Sequence, residues 1–145
     1  MSRERRRLGV AIAALALTQV WHGLDIFRVS EDVSLAEVFL DPLGLLGLGG
    51  TVLALLAVVL PLRRGPFVGG LVGALTAVGF VLYHVVPVET GLNNPYWGEA
   101  DAIQWLAVAV TIVVGAACVP LSRAAAGSTA PPRSAEAAMV RTPGA

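Results

Sequence analysis

The fold of this protein is decided by residues 67–105, which read FVGGLVGALTAVGFVLYHVVPVETGLNNPYWGEADAIQW. The stretch starts with an apolar segment that reaches Val86, continues with a polar connection that contains Asn93-Asn94-Pro95, and ends where a second apolar segment begins. A helix needs about 20 apolar residues to cross a membrane, and Asn-Pro sequences mark turns. The pattern therefore predicts two membrane-crossing helices joined by a loop.

The composition of the whole chain extends this interpretation. Of its 145 residues, 56% are hydrophobic and only 14% are charged. A soluble domain of this length cannot enclose so much apolar surface in one core, so the chain is predicted to be an all-α integral membrane protein. Ser34 and Glu37 form a capping-box pattern, which predicts a short helix at the membrane interface over residues 35–40. The predicted spans cover residues 8–26, 43–60, 67–86 and 102–119.

Basic residues are distributed unevenly along the chain. All ten are arginines, and all except Arg28 lie before the first span, in the connection after the second span, or after the fourth span. Arginines near the ends of membrane helices favour the cytoplasmic side. The sequence therefore predicts an up-down-up-down bundle of four transmembrane helices in the cell membrane, with cytoplasmic N- and C-termini. The exclusive use of arginine, with abundant alanine and valine, is typical of a GC-rich bacterial genome.

The predicted helices leave two terminal segments outside the bundle. Residues 1–7 are predicted to form a basic cytoplasmic N-terminus. Pro120 is predicted to end the fourth span, because proline cannot continue the hydrogen-bonding pattern of a helix. Residues 122–145 are rich in alanine, serine, proline and glycine, and are predicted to form a disordered cytoplasmic tail.

Small residues recur on one face of the third predicted span. Gly69, Gly73 and Ala77 are spaced by four residues, which places them on one side of a helix. Lipid supplies no hydrophobic drive between helices, so their association depends on close packing, which small residues at this spacing allow. We therefore expect these residues to contact a neighbouring helix.

Two histidines are the most distinctive residues in the predicted spans. His22 and Asp25 share one face of the first helix, and His84 lies within about 20° of the face that carries Gly73 and Ala77. Counted along each helix, both histidines are predicted to lie in the outer part of the membrane. Imidazole and carboxylate groups bind divalent metal ions, and two histidines on different helices can hold haem b. The sequence therefore offers His22, Asp25 and His84 as a metal site, or the two histidines as axial ligands of a haem.

Further polar residues are predicted to surround this site. They are Gln19, Gln104, Glu99 and Asp101. Polar residues within spans are costly and mark candidate functional sites by default. A plainer interpretation of the histidine site is that His22 and Asp25 pair with each other or lie at the membrane interface, and that His84 donates a hydrogen bond to a backbone carbonyl group of a neighbouring helix. Aromatic residues expected at the same level are typical of an interfacial belt. They are Trp21, Tyr83, Tyr96, Trp97 and Trp105.

Several motif classes are absent from the sequence. It has no Gly-rich phosphate loop, no His-Glu-x-x-His motif and no Cys-x-x-Cys motif, and its single cysteine is Cys118. No run of basic and aromatic residues indicates nucleic-acid binding. These absences favour a non-enzymatic accessory or scaffolding protein, whose partners are the lipid bilayer, other membrane proteins or further copies of the chain. The alternatives are a metal- or haem-binding protein for cation handling or electron transfer, and an oligomeric transporter of a small solute.

Overall fold

The computed structural model describes residues 1–30, 33–87, 96–97 and 100–128. These residues form five helices, which are α1 (Arg3–Val29), α2 (Leu35–Leu40), α3 (Pro42–Val59), α4 (Gly65–Val85) and α5 (Ala102–Gly127). Within the described ranges no residue lies in a β-strand. Each helix except α2 is long and apolar enough to cross a membrane. The predicted all-helical class with four candidate spans is therefore confirmed.

Polar caps fix where several of these helices begin. The Ser34 hydroxyl accepts a hydrogen bond from the Glu37 N–H, and the Glu37 carboxylate accepts one from the Ser34 N–H. Asp41 accepts hydrogen bonds from two N–H groups in the first turn of α3. Asp101 and Gln104 form the same reciprocal pair at the start of α5. These caps satisfy N–H groups that have no partner within the helix.

Helix α1 begins earlier than residue 8, where the first span was predicted to start. The helix begins at Arg3. Arg5 is only 6% exposed, because its guanidinium donates hydrogen bonds to carbonyl oxygens at the end of α3. The acceptors are Val58 at 2.7 Å, Ala57 at 3.1 Å and Leu62 at 2.8 Å. Since the last carbonyl groups of a helix lack partners within it, these bonds stabilise both helices and extend α1 into the predicted tail.

Helix α5 also ends later than predicted. The helix continues through Pro120 to Gly127, so the prediction that this proline ends the helix is wrong. Proline already has a helical φ angle, and its cost is the missing hydrogen bond and a clash with the preceding turn. Ala125, beyond the proline, is fully buried in the core and keeps the last turns helical. The prediction of a disordered tail is therefore wrong for residues 122–127, and residues 129–145 lie outside the described ranges.

The long helices pack around an apolar core. Both α1 and α4 pack against α3 and α5. Large apolar side chains also remain on the outward faces of all four long helices, which suits contact with lipid. The core residues are Leu8, Ile12, Leu15, Ala54, Val58, Cys118 and Ala125.

Glycine allows α4 to approach two neighbours closely. A Cβ atom at Gly69 would lie 2.7 Å from Ile12 Cδ1 of α1, and one at Gly73 would overlap Cys118 Cβ of α5. A Cβ atom at Gly115 would lie 2.7 Å from the Gly73 carbonyl oxygen. The face of α4 that carries the small residues is therefore the face on which α1 and α5 pack.

We predict that Gly73→Ala destabilises the folded protein by about 1–3 kcal/mol, because the added methyl group overpacks the contact with α5. Gly79→Ala is the matched control on the same helix, since a Cβ atom there meets no atom within 4 Å in the described part of the chain. The folded fraction measured during titration of mixed micelles with sodium dodecyl sulfate checks this difference. Equal stability of the two variants would contradict close packing of α4 on α5 at Gly73.

Candidate functional site

The two histidines meet at one end of the bundle, although they lie on different helices. His22 is in the second half of α1, and His84 is in the last turn of α4. Their ring centres are 4.7 Å apart and their ring planes meet at 77°. Both side chains are buried, at 7% and 4% exposure. We call these two residues the histidine pair, and the end of the bundle that contains them the histidine end.

Aromatic rings surround the histidine pair. The Phe80 ring centre lies 5.0 Å from that of His22, and the Tyr96 ring centre lies 4.3 Å from that of His84. Tyr83 adds a third ring, at 4.8 Å from His84. Burial raises the pKa of the Tyr96 phenol, so this group stays uncharged at neutral pH. The Tyr96 ring is buried against His84, and its place in an interfacial belt stays a prediction.

The end of α4 is tied to the following loop. The last turn, Val81–Val85, is wider than an α-helical turn, with i→i+5 hydrogen bonds of the kind often found at functional sites. The Tyr96 N–H donates to the His84 carbonyl oxygen at 3.1 Å, and Trp97 Nε1 donates to the Val85 carbonyl oxygen at 2.6 Å. These bonds satisfy carbonyl groups at the end of α4 and hold Tyr96 over the histidine pair.

A charged bridge connects α1 with the start of α5. The Asp25 side chain is 2% exposed and accepts a hydrogen bond through Oδ1 from Arg28 Nε at 2.8 Å. Arg28 Nη2 also donates to Asp101 Oδ2 at 2.7 Å. This hydrogen bond from Arg28 is the main reason why the pKa of Asp101 is lowered. Asp25, predicted as a metal ligand, is therefore paired with an arginine. The sequence analysis missed this pairing, although the i, i+3 spacing of Asp25 and Arg28 is a signal that could have predicted it.

The glutamines predicted to surround the site have structural partners. Gln19 Nε2 donates to Thr51 Oγ1 at 2.8 Å, which links α1 to α3. Gln104 Oε1 accepts from the Asp101 N–H at 2.9 Å as part of the cap of α5. Glu99 lies outside the described residues. Gln19 and Gln104 therefore have structural roles, because Gln19 joins two helices and Gln104 caps its own helix.

The separation of the histidine rings bears on which group they can hold. Two imidazoles on one tetrahedral ion, with metal–nitrogen distances of about 2.0 Å, have ring centres about 5 Å apart. Two axial ligands of a haem lie on opposite faces of the porphyrin, with ring centres about 6 Å apart for the same distance. The observed 4.7 Å fits a shared ion and leaves no room for a porphyrin between the rings.

A complete set of metal ligands is not assembled in the described part of the chain. No three His, Cys, Asp or Glu side chains among the described residues lie close enough to share one ion. Asp25 Oδ1 is occupied by Arg28, while Asp25 Oδ2 and His22 Nδ1 have no hydrogen-bond partner within the described ranges. Metal binding by His22, Asp25 and His84 stays a prediction, with the histidine pair as its geometric basis.

Four candidate spans and a buried polar site within them indicate a helical multi-pass membrane protein. No family model matches the chain, and comparisons with curated proteins and with solved structures also found no match. The chain's own residues are therefore the basis on which a function can be inferred.

We predict that Asp101→Asn weakens the protein at pH 7 and that its difference from the wild type disappears in acid. Asparagine is a good N-cap but has no charge for Arg28, so the substitution removes the ion pair and keeps the cap. Because the pKa of Asp101 is lowered on folding, its contribution is complete above the ordinary value of 3.8 and is lost as pH falls through the lowered pKa.

Detergent-unfolding midpoints of both proteins, compared between pH 7 and pH 2.5, test this prediction. The other carboxylates are common to both chains, so the difference between the midpoints isolates Asp101. A difference that stays constant with pH would show that the ion pair contributes nothing to stability.

Proposed function

We propose that this protein is a non-enzymatic component of the cell membrane, and that it works as an accessory or scaffolding protein through contacts at its histidine end. The observation that carries this proposal is the convergence of polar and aromatic side chains from α1, α4, α5 and the loop before α5 at that end. The histidine pair, Tyr96 and the bridge from Asp25 through Arg28 to Asp101 all lie there. Such groups are costly within a membrane and are retained where they act.

The opposite end of the bundle supports this choice by contrast. Its one buried charged side chain among the described residues is Arg5, whose hydrogen bonds go to carbonyl oxygens at the end of α3. That arrangement explains Arg5 as a structural tie between two helices. The histidine end holds buried polar atoms that structure alone does not account for, such as His22 Nδ1.

We also propose an up-down-up-down topology with both termini in the cytoplasm. Support for antiparallel neighbours comes from contacts in which the residue number rises along one helix while it falls along the next. Between α1 and α3, Arg5 contacts Val58 and Gln19 contacts Thr51. Between α4 and α5, the position of Gly70 faces Ser122 and that of Gly115 faces Ala77. The arginine-rich termini and the arginines at positions 63 and 64 favour the cytoplasmic side, which makes the histidine end the outer one.

The proposed contact partner is a second copy of the chain or another membrane protein, within the lipid bilayer. Leu40, at the end of α2, is 64% exposed next to the histidine end, and Leu62, after α3, is 53% exposed at the opposite end. These two leucines give a matched pair of positions with which to compare the ends.

We predict that a cysteine at position 40 faces outward and reaches a partner. Cys118→Ala removes the native thiol, and Leu40→Cys or Leu62→Cys is added to that background. A membrane-impermeant maleimide should label position 40 in intact cells and position 62 only after the membrane is opened. Benzophenone maleimide attached at position 40, followed by irradiation in native membranes, should give one defined protein adduct.

Benzophenone maleimide attached at position 62 is the control for nonspecific contacts. Labelling of position 62 in intact cells would contradict the topology. If the topology is correct, equal adduct formation from both positions would contradict the proposal that the histidine end contacts a partner. The absence of an adduct from position 40 would contradict it as well.

A second candidate function is the binding of a divalent metal ion by the histidine pair, and the 4.7 Å ring separation favours it. The two imidazoles would hold the ion, with Asp25 as a further ligand or as the group that orients His22. Ion binding would supply charge at this end of the bundle.

We predict for this candidate that Zn²⁺ stabilises the wild type and not His22→Ala or His84→Ala. A ligand that binds only the folded state adds about 2.7 kcal/mol when its concentration is 100 times the Kd. Thermal unfolding in detergent with and without Zn²⁺ measures this effect. Asp101→Asn is the control, because it alters the histidine end and keeps both imidazoles. Equal stabilisation of all four proteins would exclude the histidine pair as the metal site.

A further inference from the structure

A cavity of about 590 Å³ lies between α1, α3 and α4, in the half of the bundle that contains the histidine pair. Its wall on α4 runs from Val72 to His84, which is about 18 Å at 1.5 Å per residue. The volume lies within the range of about 300–1,000 Å³ that is usual for small-molecule sites. The cavity is partly open, and the three long helices that line it are candidate membrane spans. A partly open cavity between such helices suits a molecule that dissolves in the membrane.

Missing side chains create much of this space. Gly50 of α3 and Gly79 of α4 line the cavity, and a Cβ atom at either position would meet no atom of the described residues within 4 Å. At Gly47, also in the lining, a Cβ atom would lie 3.1 Å from Gln19 Oε1. Phe39 of α2 packs against the Gly23 backbone of α1 and borders the cavity at the histidine end. The space is thus a built feature of the glycine-rich faces of two helices.

The chemistry of the described lining disfavours an anionic occupant. Most of the wall is apolar, with Leu46, Val72 and Leu75 along its length, and the described lining contains no arginine. Its one carboxylate, Asp41, accepts hydrogen bonds from the first turn of α3 and serves as the cap of that helix. A phosphate or carboxylate head group would find no opposite charge in this cavity, and burial of an unpaired charge is strongly unfavourable.

Polar atoms are concentrated at one end of the cavity. His22 lines it, is 7% exposed, and has no hydrogen-bond partner for Nδ1 among the described residues. Buried polar atoms in folded proteins are normally hydrogen-bonded. Gln19, one turn earlier on α1, also lines the cavity and is held in place by its bond to Thr51. The site therefore combines a long apolar wall with a fixed polar end.

We propose that this cavity binds a neutral lipophilic molecule with one long chain and a hydroxyl or carbonyl head group. The head hydrogen-bonds with His22, and the chain lies along the apolar wall of α3 and α4. A neutral imidazole offers one donor and one acceptor, so it accommodates either type of head. This activity needs no protein partner, and it goes beyond the contact function proposed above.

The test uses the full-length protein in phosphatidylcholine vesicles and a hexadecanol probe with a diazirine in its chain. Irradiation should give saturable adducts within residues 43–50 and 72–84, located by mass spectrometry and reduced by unlabelled hexadecanol. Gly50→Leu should lower specific labelling about tenfold, because the new side chain fills the space that the chain occupies. Gly49→Leu is the matched control, because a Cβ atom there also meets no atom within 4 Å and this glycine does not line the cavity.

His22→Phe tests the polar end of the cavity and keeps an aromatic ring. The affinity of this variant for the hexadecanol probe should fall about three- to tenfold, because one buried hydrogen bond is lost. Its affinity for a hexadecane probe should stay unchanged. Circular dichroism of each variant confirms that it is folded.

Four results would overturn the proposal. Adducts spread evenly over the lipid-facing residues, or equal labelling of Gly50→Leu and Gly49→Leu, would show that the cavity is not the site. Equal affinity of the wild type for hexadecane and hexadecanol would remove the role of His22. Preference for a palmitate anion over hexadecanol would contradict the neutral head group.

Discussion

Close backbone contact between α4 and α5 at Gly73 and Gly115 is the constraint on which the rest of the bundle depends. In lipid the usual hydrophobic drive between helices is missing, so contact area and distance decide whether two helices associate. Each of these glycines lies where a Cβ atom would overlap the other helix. Because His84 lies eleven residues beyond Gly73 and on nearly the same face of α4, the contact that positions the helix also turns this histidine inward.

Satisfaction of polar groups is the second constraint, since hydrocarbon offers them no partner. Arg5 bonds to three carbonyl oxygens at the end of α3, and Gln19 joins α1 to α3 through Thr51. Arg28 links Asp25 with the cap of α5. Arg5, Gln19, Thr51 and the Oδ1 atom of Asp25 are thereby explained as parts of ties between helices. His22 Nδ1 and Asp25 Oδ2 are not explained in this way, which is why the functional candidates centre on them.

His22 is common to both proposed binding activities, that of a metal ion and that of a neutral lipophile. With His84 it forms a pair whose spacing suits one small ion, and with the glycine-lined walls of α3 and α4 it forms the polar end of an apolar cavity. Both arrangements place the chemistry beside aromatic rings and away from water, where hydrogen bonds are stronger than at a surface. Contact with a partner is supported at the same end by Arg28 and Asp101, whose side chains are about half exposed.

The sequence by itself determined the class of the protein and much of its secondary structure. Four apolar segments require helices that satisfy their own backbone groups, and Ser34, Asp41 and Asp101 mark three helix starts through local hydrogen bonds. These features depend on composition and on neighbours within a few residues. They could be predicted because no distant contact competes with them.

Only the tertiary structure decided how far the helices extend and which side chains meet. Arg5 reads as part of a basic tail and Pro120 as a helix end, yet contacts with α3 and with the core keep both in helices. Helical periodicity placed His84 on the packing face of α4, and the count along each helix placed both histidines in the outer part of the membrane. The 4.7 Å between their rings depends on how α1 and α4 pack. The pairing of Arg28 with Asp101 and the cavity beside Gly50 also depend on how the helices pack. A sequence pattern fixes the direction of a side chain on its own helix, but it does not fix the distance to another helix.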